Sequence, residues 1–369
     1  MSVNARHLSA GEAAEVLEAA WRAQRDRGLT VSWMLHGRPG VGKTQIVQEL
    51  ATRIGARLFD LRLTTIEPQD LRGLPYYDHD ARRTVWYRPE DLPDDPETPS
   101  VLFLDELTAA PPHLQPTVYG LLQERRVGRH RLPASVLIVA AGNAVEDGAV
   151  AYDMGTALSD RLIHLAVRAS AEDWLTNYAP RRAIDPAVTA FLRGRPDLLD
   201  TTERSLRDGT LVACTPRSWE RVSDILRAVP DRRLRQAMIA GTVGEAAAAE
   251  FALVADEVAA QVRVDEILAA RPGARRALYP ETLHGLNALV YGLVGAAEAA
   301  NMDAVIEVMA GIRELGGEAR FEGLPLAELT AFGFEMLIRK AMDEGTEAAF
   351  LRSPAYAAYA EERRAAGLA

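Results

Sequence analysis

The sequence predicts an α/β fold built on a parallel sheet, followed by an all-helical region. Three observations carry that prediction. Val101–Leu104 and Val136–Ala141 are wholly apolar runs, the pattern of strands buried on both faces of a parallel sheet. The first sixty-three residues contain a strand, a glycine loop, a helix and a second strand in that order. From Ser170 onward, apolar residues recur at helical spacing and strand-like runs cease.

Each element has its own signal. Ser9 with Glu12 forms a capping box, and Ala13, Val16, Leu17, Ala20 and Trp21 follow at helical spacing until Gly28 breaks the helix. Thr30–Leu35 is a short apolar run that stops at Gly37, as a buried strand does on entering a loop. Ile46, Val47, Leu50, Ala51 and Ile54 give the next helix, and Phe59, Leu61 and Leu63 alternate with polar residues like a strand. Leu114, Val118, Leu121 and Leu122 make a helical stripe between the two apolar runs, and Arg161–Val167 reads as a fifth strand. In the second region Ser170 with Asp173 is a capping signature, while Asp185–Pro186 and Thr215–Pro216 each set a cap before a first-turn proline. A helix from Pro216 is expected to bury Trp219, Val222, Leu226 and Val229. Beyond Gly244 the chain is alanine-rich, with breaks at Arg271–Gly273, Gly316–Gly317 and Gly323–Pro325.

Bulk properties narrow the function. A chain of 369 residues suits two or three domains, and 48% hydrophobic residues suffice for sizeable cores. A formal net charge of −10 argues against a general nucleic-acid binder. The single cysteine, Cys214, excludes an intramolecular disulfide and fits a reducing compartment. Met1–Arg27 carries charges throughout and lacks an apolar signal core. No stretch approaches the roughly 20 apolar residues of a membrane helix. A soluble, cytoplasmic protein without a membrane partner is expected.

The chemistry begins at Gly37-Arg38-Pro39-Gly40-Val41-Gly42-Lys43-Thr44, a P-loop pattern between strand and helix. Its glycines let backbone N–H groups curl around phosphate oxygens, and the following helix N-terminus adds the positive end of its dipole. Lys43 is expected to reach the β- and γ-phosphates of ATP, and the Thr44 hydroxyl to ligate magnesium. Asp105, ending an apolar strand, is the acid expected to help hold that magnesium. Glu106 is placed to polarise the attacking water as a general base. Asn143 ends the next strand, where a neutral amide can orient the water between Glu106 and the γ-phosphate. Arg125-Arg126-Val127-Gly128-Arg129-His130-Arg131 is the one concentrated basic stretch, with Gly128 at the tip of an expected hairpin. Histidines such as His36 and His113 are too scattered to suggest a metal site.

Taken together these residues resemble the AAA+ ATPases, and among them the MoxR-like, helix-2-insert branch. The branch's P-x-D-L-x-G segment is similar to Pro68-Gln69-Asp70-Leu71-Arg72-Gly73, and its Walker B extension to Asp105-Glu106-Leu107 with Ala110-Pro111-Pro112. Leu122–Leu132 resembles the hairpin before sensor 1 and Ala157-Leu158-Ser159-Asp160-Arg161-Leu162 the arginine-bearing turn after it. Thr215-Pro216-Arg217-Ser218-Trp219 resembles the sensor 2 region of the lid. The resemblance implies that Asn143 is sensor 1, Arg161 an arginine finger offered to a neighbour's nucleotide, and Arg217 sensor 2. It implies an AAA+ core over residues 1–168 and a helical lid over 169–245, while the alanine-rich region beyond reads as an added helical C-terminal extension over 246–369. It also implies a ring, a hexamer in this family, and a partner with a von Willebrand factor A domain. The chain departs from the family at Thr108 and Ala109, where asparagine and arginine are usual, and at Asp160, where asparagine is frequent.

Three functions follow from these readings. The leading one is an ATP-driven remodeller or assembler of partner proteins. The alternatives are a nucleic-acid-dependent motor, which the acidic charge disfavours, and a nucleotide-gated scaffold, which intact Lys43, Asp105 and Glu106 disfavour.

Overall fold

The computed structural model describes residues 4–143, 159–365 and 367. The chain divides into two compact units, one of Met1–Ser170 with Thr202–Gly209 and one of Ala171–Thr201 with Thr210–Ala369.

The first unit is a sheet between two helical layers. Its strands are β1 (His7–Leu8), β2 (Ser32–His36), β3 (Arg57–Arg62), β6 (Ser100–Asp105), β9 (Val136–Gly142) and β10 (Leu162–Val167), in the spatial order β1-β10-β2-β9-β6-β3. Every pairing is parallel. Strand alternation sends Trp33, Leu35, Val101, Phe103, Leu137 and Val139 to one face, against Leu17 of α1 (Ala10–Arg27) and Ile46, Val47 and Leu50 of α2 (Lys43–Arg53). Met34, Leu102, Leu104, Ile138 and Ala140 take the other face, against Val118, Leu121 and Leu122 of α4 (Gln115–Glu124). Burial on both faces explains why the two central strands read as unbroken apolar runs. The capping box at Ser9 is present in both halves, and Gly28 closes α1 in the left-handed conformation.

Some elements differ from the sequence expectation. α4 runs on to Glu124, so the hairpin expected over Leu122–Leu132 contracts to β7 (Arg126–Val127) and β8 (His130–Arg131), with Gly128 left-handed at its tip. Arg125 turns inward from the basic stretch, donating to the carbonyls of Pro133 (3.0 Å) and Val136. A short helix, α3 (Pro68–Arg72), and an antiparallel hairpin of β4 (Pro75–Asp78) and β5 (Arg83–Trp86) fill the segment before β6. The β7–β8 hairpin is tied to the residues flanking β4 and β5, since Arg88, just past β5, reaches the Arg131 carbonyl (3.3 Å) and the His130 ring donates to the carbonyl of Arg72 at the end of α3 (3.2 Å).

The second unit is helical. Phe191, Trp219 and Phe251 form one aromatic cluster with ring centroids 5.3–5.7 Å apart, and the indole N–H of Trp219 donates to the Leu198 carbonyl. Thr215 caps the helix Pro216–Ala228 through a box with Ser218. Trp219, Val222 and Ile225 are buried apolar residues of this helix, whereas Leu226 and Val229 are half-buried. Val229 lies past the helix end, and Ile225 takes the inward position expected of Leu226. Cys214 is a buried thiol whose Sγ donates to the Val243 carbonyl. Among the described residues, no helix is long and apolar enough to cross a membrane.

One polar pair interrupts the apolar face of the sheet. His36 and His164 lie on adjacent strands, their rings stacked 5.0 Å apart, with Nε2 of His36 2.7 Å from Nδ1 of His164. Burial first, then the neighbouring His164 and Lys43, push His36 from the ordinary 6.5 down to about 4. A base with a depressed folded pKa protonates first in the unfolded chain. Its contribution is therefore present above pH 6.5 and is lost as pH falls towards 4. Linkage sets that loss at roughly 3 kcal/mol. The stability difference between wild type and His36→Phe should therefore shift against wild type across this window in urea titrations; a difference that stays constant from pH 7 to 4.5 refutes it.

Candidate active site

Parallel strands place their carboxyl ends along one edge of the sheet, and the candidate groups gather there. His36 ends β2 and pairs in register with Gly142 of β9. The loop 37–42 follows β2, and α2 starts at Lys43. Gly42 sits at φ 100° as it enters the helix, a conformation that a residue with a Cβ resists. Val41 is buried beneath the loop. Lys43 turns back under that loop. Its ammonium donates to the Gly37 carbonyl (2.6 Å), the Arg38 carbonyl (3.1 Å) and Oδ1 of Asn143 (2.7 Å). Lys43 and Asn143, a hundred residues apart, are therefore joined by a direct hydrogen bond.

Asp105 is buried at the end of β6. Its Oδ2 accepts from the Thr44 hydroxyl at 3.2 Å and its Oδ1 from the backbone N–H of Glu106 at 2.8 Å. Hydroxyl and carboxylate oxygens are the hard donors that magnesium prefers, and magnesium usually takes few protein ligands and completes its shell with phosphate and water. Thr44 and Asp105 fit that requirement. Among the described residues no group of three His, Cys, Asp or Glu side chains forms a separate metal site.

Glu106 adopts a left-handed backbone, φ 60° and ψ 34°, which turns its side chain away from the line of β6. Its carboxylate accepts from the Thr64 hydroxyl, and the Arg62 guanidinium lies 3.8 Å from it. Thr64 follows the end of β3, the strand beside β6. Sequence reading does not find Thr64, because a threonine after a strand carries no signal until the neighbouring strand is known.

Thr108, noted in the sequence only as a departure from the family pattern, has a role that only the structure shows. Its buried hydroxyl accepts from the backbone N–H of Asn143 at 3.0 Å. A Cβ on Gly142 would lie 2.6 Å from Thr108 and 2.9 Å from Met34, so only glycine admits this approach. Thr108 thus fixes the segment that aims the Asn143 amide.

Of the remaining predicted residues, Gly37, Pro39 and Gly40 lie in the loop as expected. Arg161 is exposed and immediately precedes β10. Ala157 and Leu158 of its motif lie outside the described residues. Arg217 belongs to the second unit, in the first turn of the helix Pro216–Ala228.

A parallel sheet with a P-loop after an inner strand and an acid pair after its neighbour but one defines a P-loop NTPase fold of the AAA+ type. Residues 32–162 match the AAA domain of the dynein-related subfamily, and the P-loop, the acid pair and Asn143 all fall within that stretch. No curated protein matches the sequence. Among solved structures, a protein of Cytophaga hutchinsonii ATCC 33406 assigned as an ATPase is 22% identical, with a TM-score of 0.30 over 42% of this chain and 44% of that one. The chain therefore matches less than half the length of that protein. Thermotoga maritima RuvB, a Holliday junction branch migration motor, is 16% identical, with a TM-score of 0.36 over 79% of this chain and 84% of that one. A point mutant of the same RuvB is 17% identical, with a TM-score of 0.37 over 76% and 81%.

Thr108→Val keeps the shape of the side chain and removes the oxygen that accepts from Asn143. It should destabilise the protein by about 1 kcal/mol, whereas Thr108→Ser should retain most of that contribution. Urea unfolding distinguishes them, and a valine variant as stable as wild type would show that the hydroxyl contributes nothing.

Proposed function

We propose that this protein is a MoxR-like AAA+ ATPase that hydrolyses ATP to ADP and phosphate and uses the energy to remodel or assemble partner proteins. The observation that carries the reading is the convergence of Lys43, Thr44, Asp105 and Asn143 through direct hydrogen bonds at one edge of the sheet. In this reading Lys43 exchanges its carbonyl partners for β- and γ-phosphate oxygens, and the backbone of the loop 37–42 cradles the phosphates. Magnesium, held by Thr44 and Asp105, offsets phosphate charge when bound with the nucleotide. Glu106 gives up its hydrogen bond from Thr64 to accept a proton from the attacking water, which the Asn143 amide orients. The resemblance supports the rest: Arg161 as a finger acting in trans, Arg217 as sensor 2, a hexameric ring, a lid over 169–245, and a partner with a von Willebrand factor A domain. The exposed Arg126, Arg129 and Arg131 of the hairpin are candidates to hold that client, and the setting is cytoplasmic.

Lys43→Ala should abolish nucleotide binding, because the phosphates lose their principal side-chain cation. Glu106→Gln should bind normally and stall, because an amide accepts no proton. Isothermal titration with a phosphate-release assay checks both, and normal turnover by Glu106→Gln removes the base assignment. Turnover that requires added DNA would favour the nucleic-acid motor, and wild-type binding without turnover the gated scaffold.

A trans-acting arginine contributes roughly 10³–10⁵ in rate in related phosphoryl transfer. Arg161→Ala should therefore bind ATP as wild type does and hydrolyse it poorly. Mixed with Lys43→Ala it should regain part of the activity, at interfaces that pair an intact P-loop with an intact finger. Wild-type hydrolysis by Arg161→Ala alone would sink the assignment.

A further inference from the structure

The His36–His164 pair is joined to the turn that carries Arg161. Nε2 of His164 lies 2.9 Å from the Ser159 carbonyl oxygen and 3.1 Å from the Ser159 hydroxyl. A carbonyl oxygen only accepts, so Nε2 of His164 holds a hydrogen and donates it there. In neutral His164 the other nitrogen, Nδ1, is then an acceptor, and the Nε2–H of His36 fills it at 2.7 Å. In that neutral form the direction of both bonds is fixed by the carbonyl at the end. His164 closes a loop back onto Ser159, five residues earlier, with Asp160 and Arg161 inside it. At the opposite end, His36 is followed by Gly37, whose carbonyl accepts from Lys43.

The neighbours of this pair on the same sheet face, Met34 and Leu162, are apolar. An apolar pair would cover that face without demanding hydrogen-bond partners. The histidines instead give two directed bonds running from the strand that launches the P-loop to the turn at residues 159–161.

We propose that His36 and His164 form a latch that fixes the turn at 159–161, and so the Arg161 guanidinium, relative to the strand that launches the P-loop. The latch rests on the reading of Arg161 as a finger acting in trans. Both histidines are positioning residues, since neither reaches the nucleotide in that reading.

Two measurements test it. In hydrogen exchange on the nucleotide-free protein, His164→Leu and His36→Phe should each speed exchange in peptides covering 159–161 while leaving α2 and β6 protected. In turnover assays both variants should keep the wild-type nucleotide Kd and lose about ten- to a hundredfold in kcat, part of the roughly 10³–10⁵ that a finger contributes. His164→Gln, which keeps a donor towards Ser159, should recover some of the loss. Mixed with Lys43→Ala, His164→Leu should regain activity in the same way as Arg161→Ala, a pattern that general loosening of the fold does not produce. Unchanged exchange at 159–161 overturns the latch. So does His164→Leu turning over as wild type, or failing to complement where Arg161→Ala succeeds. If wild type itself does not hydrolyse ATP, or Arg161→Ala also fails to complement, the proposed function or its trans finger falls, and the exchange measurement still decides the latch.

Discussion

Every strand of the main sheet runs in the same direction, and the rest of the first unit depends on that constraint. Parallel strands bring their carboxyl ends to one edge, so residues distant in sequence share a small volume there. His36, Asp105 and Gly142 end three neighbouring strands. All positions of those three strands are buried, so side chains able to meet a ligand are confined at this edge to their last residues and to the loops just beyond. Ligand sites of open α/β sheets lie at this edge for the same reason. Lys43 then links two of these strand ends through its own bonds, one to the loop after β2 and one to Asn143 after β9.

The opposite edge is tied down by side chains that donate to backbone. Gln24, near the end of α1, donates to the carbonyls of Ala134 and Val136. Arg125 donates to Pro133 and Val136, and the Ser32 hydroxyl to the Leu122 carbonyl. Each supplies a partner to a carbonyl at or near the start of a buried strand or the end of a helix, where the regular ladders run out. Arg125 therefore serves the sheet and not the basic surface its sequence context suggests, and burial lowers its pKa. The entry to β9 is anchored while its exit carries Asn143, so the amide is displayed from a rigid strand.

What the sequence disclosed follows from how local each signal is. The P-loop, the acid pair and the central strands are contiguous, and their residue types state their burial directly. Strand β1 has two residues, and the hairpin of β4 and β5 exposes Tyr76 and Tyr77, so neither carries an apolar pattern. The phase of the helix from Pro216 differs from expectation at Leu226 because Ile225 lies beside it and either could face inward. Thr64, Thr108 and His164 act through partners 42, 35 and 128 residues away. Their roles depend on strand order, which no single stretch of sequence contains. His36 reads as an isolated histidine for the same reason.

The departures from the MoxR-like pattern that the resemblance implies gain a physical meaning from burial. Thr108 occupies a position where an asparagine is usual, and its side chain is buried, engaged with the Asn143 N–H and packed against Gly142. A residue so enclosed makes its polar contact within its own chain. Ala109, the next residue, has no polar group with which to make a directed contact to a neighbour. Asp160, by contrast, is exposed beside Arg161 and keeps a carboxylate at the family's asparagine position. In the ring proposed above, a directed contact to a neighbour would fall to the turn at 159–161 and not to the residues after the acid pair. The two bonds through His164 join that turn to the strand that launches the P-loop.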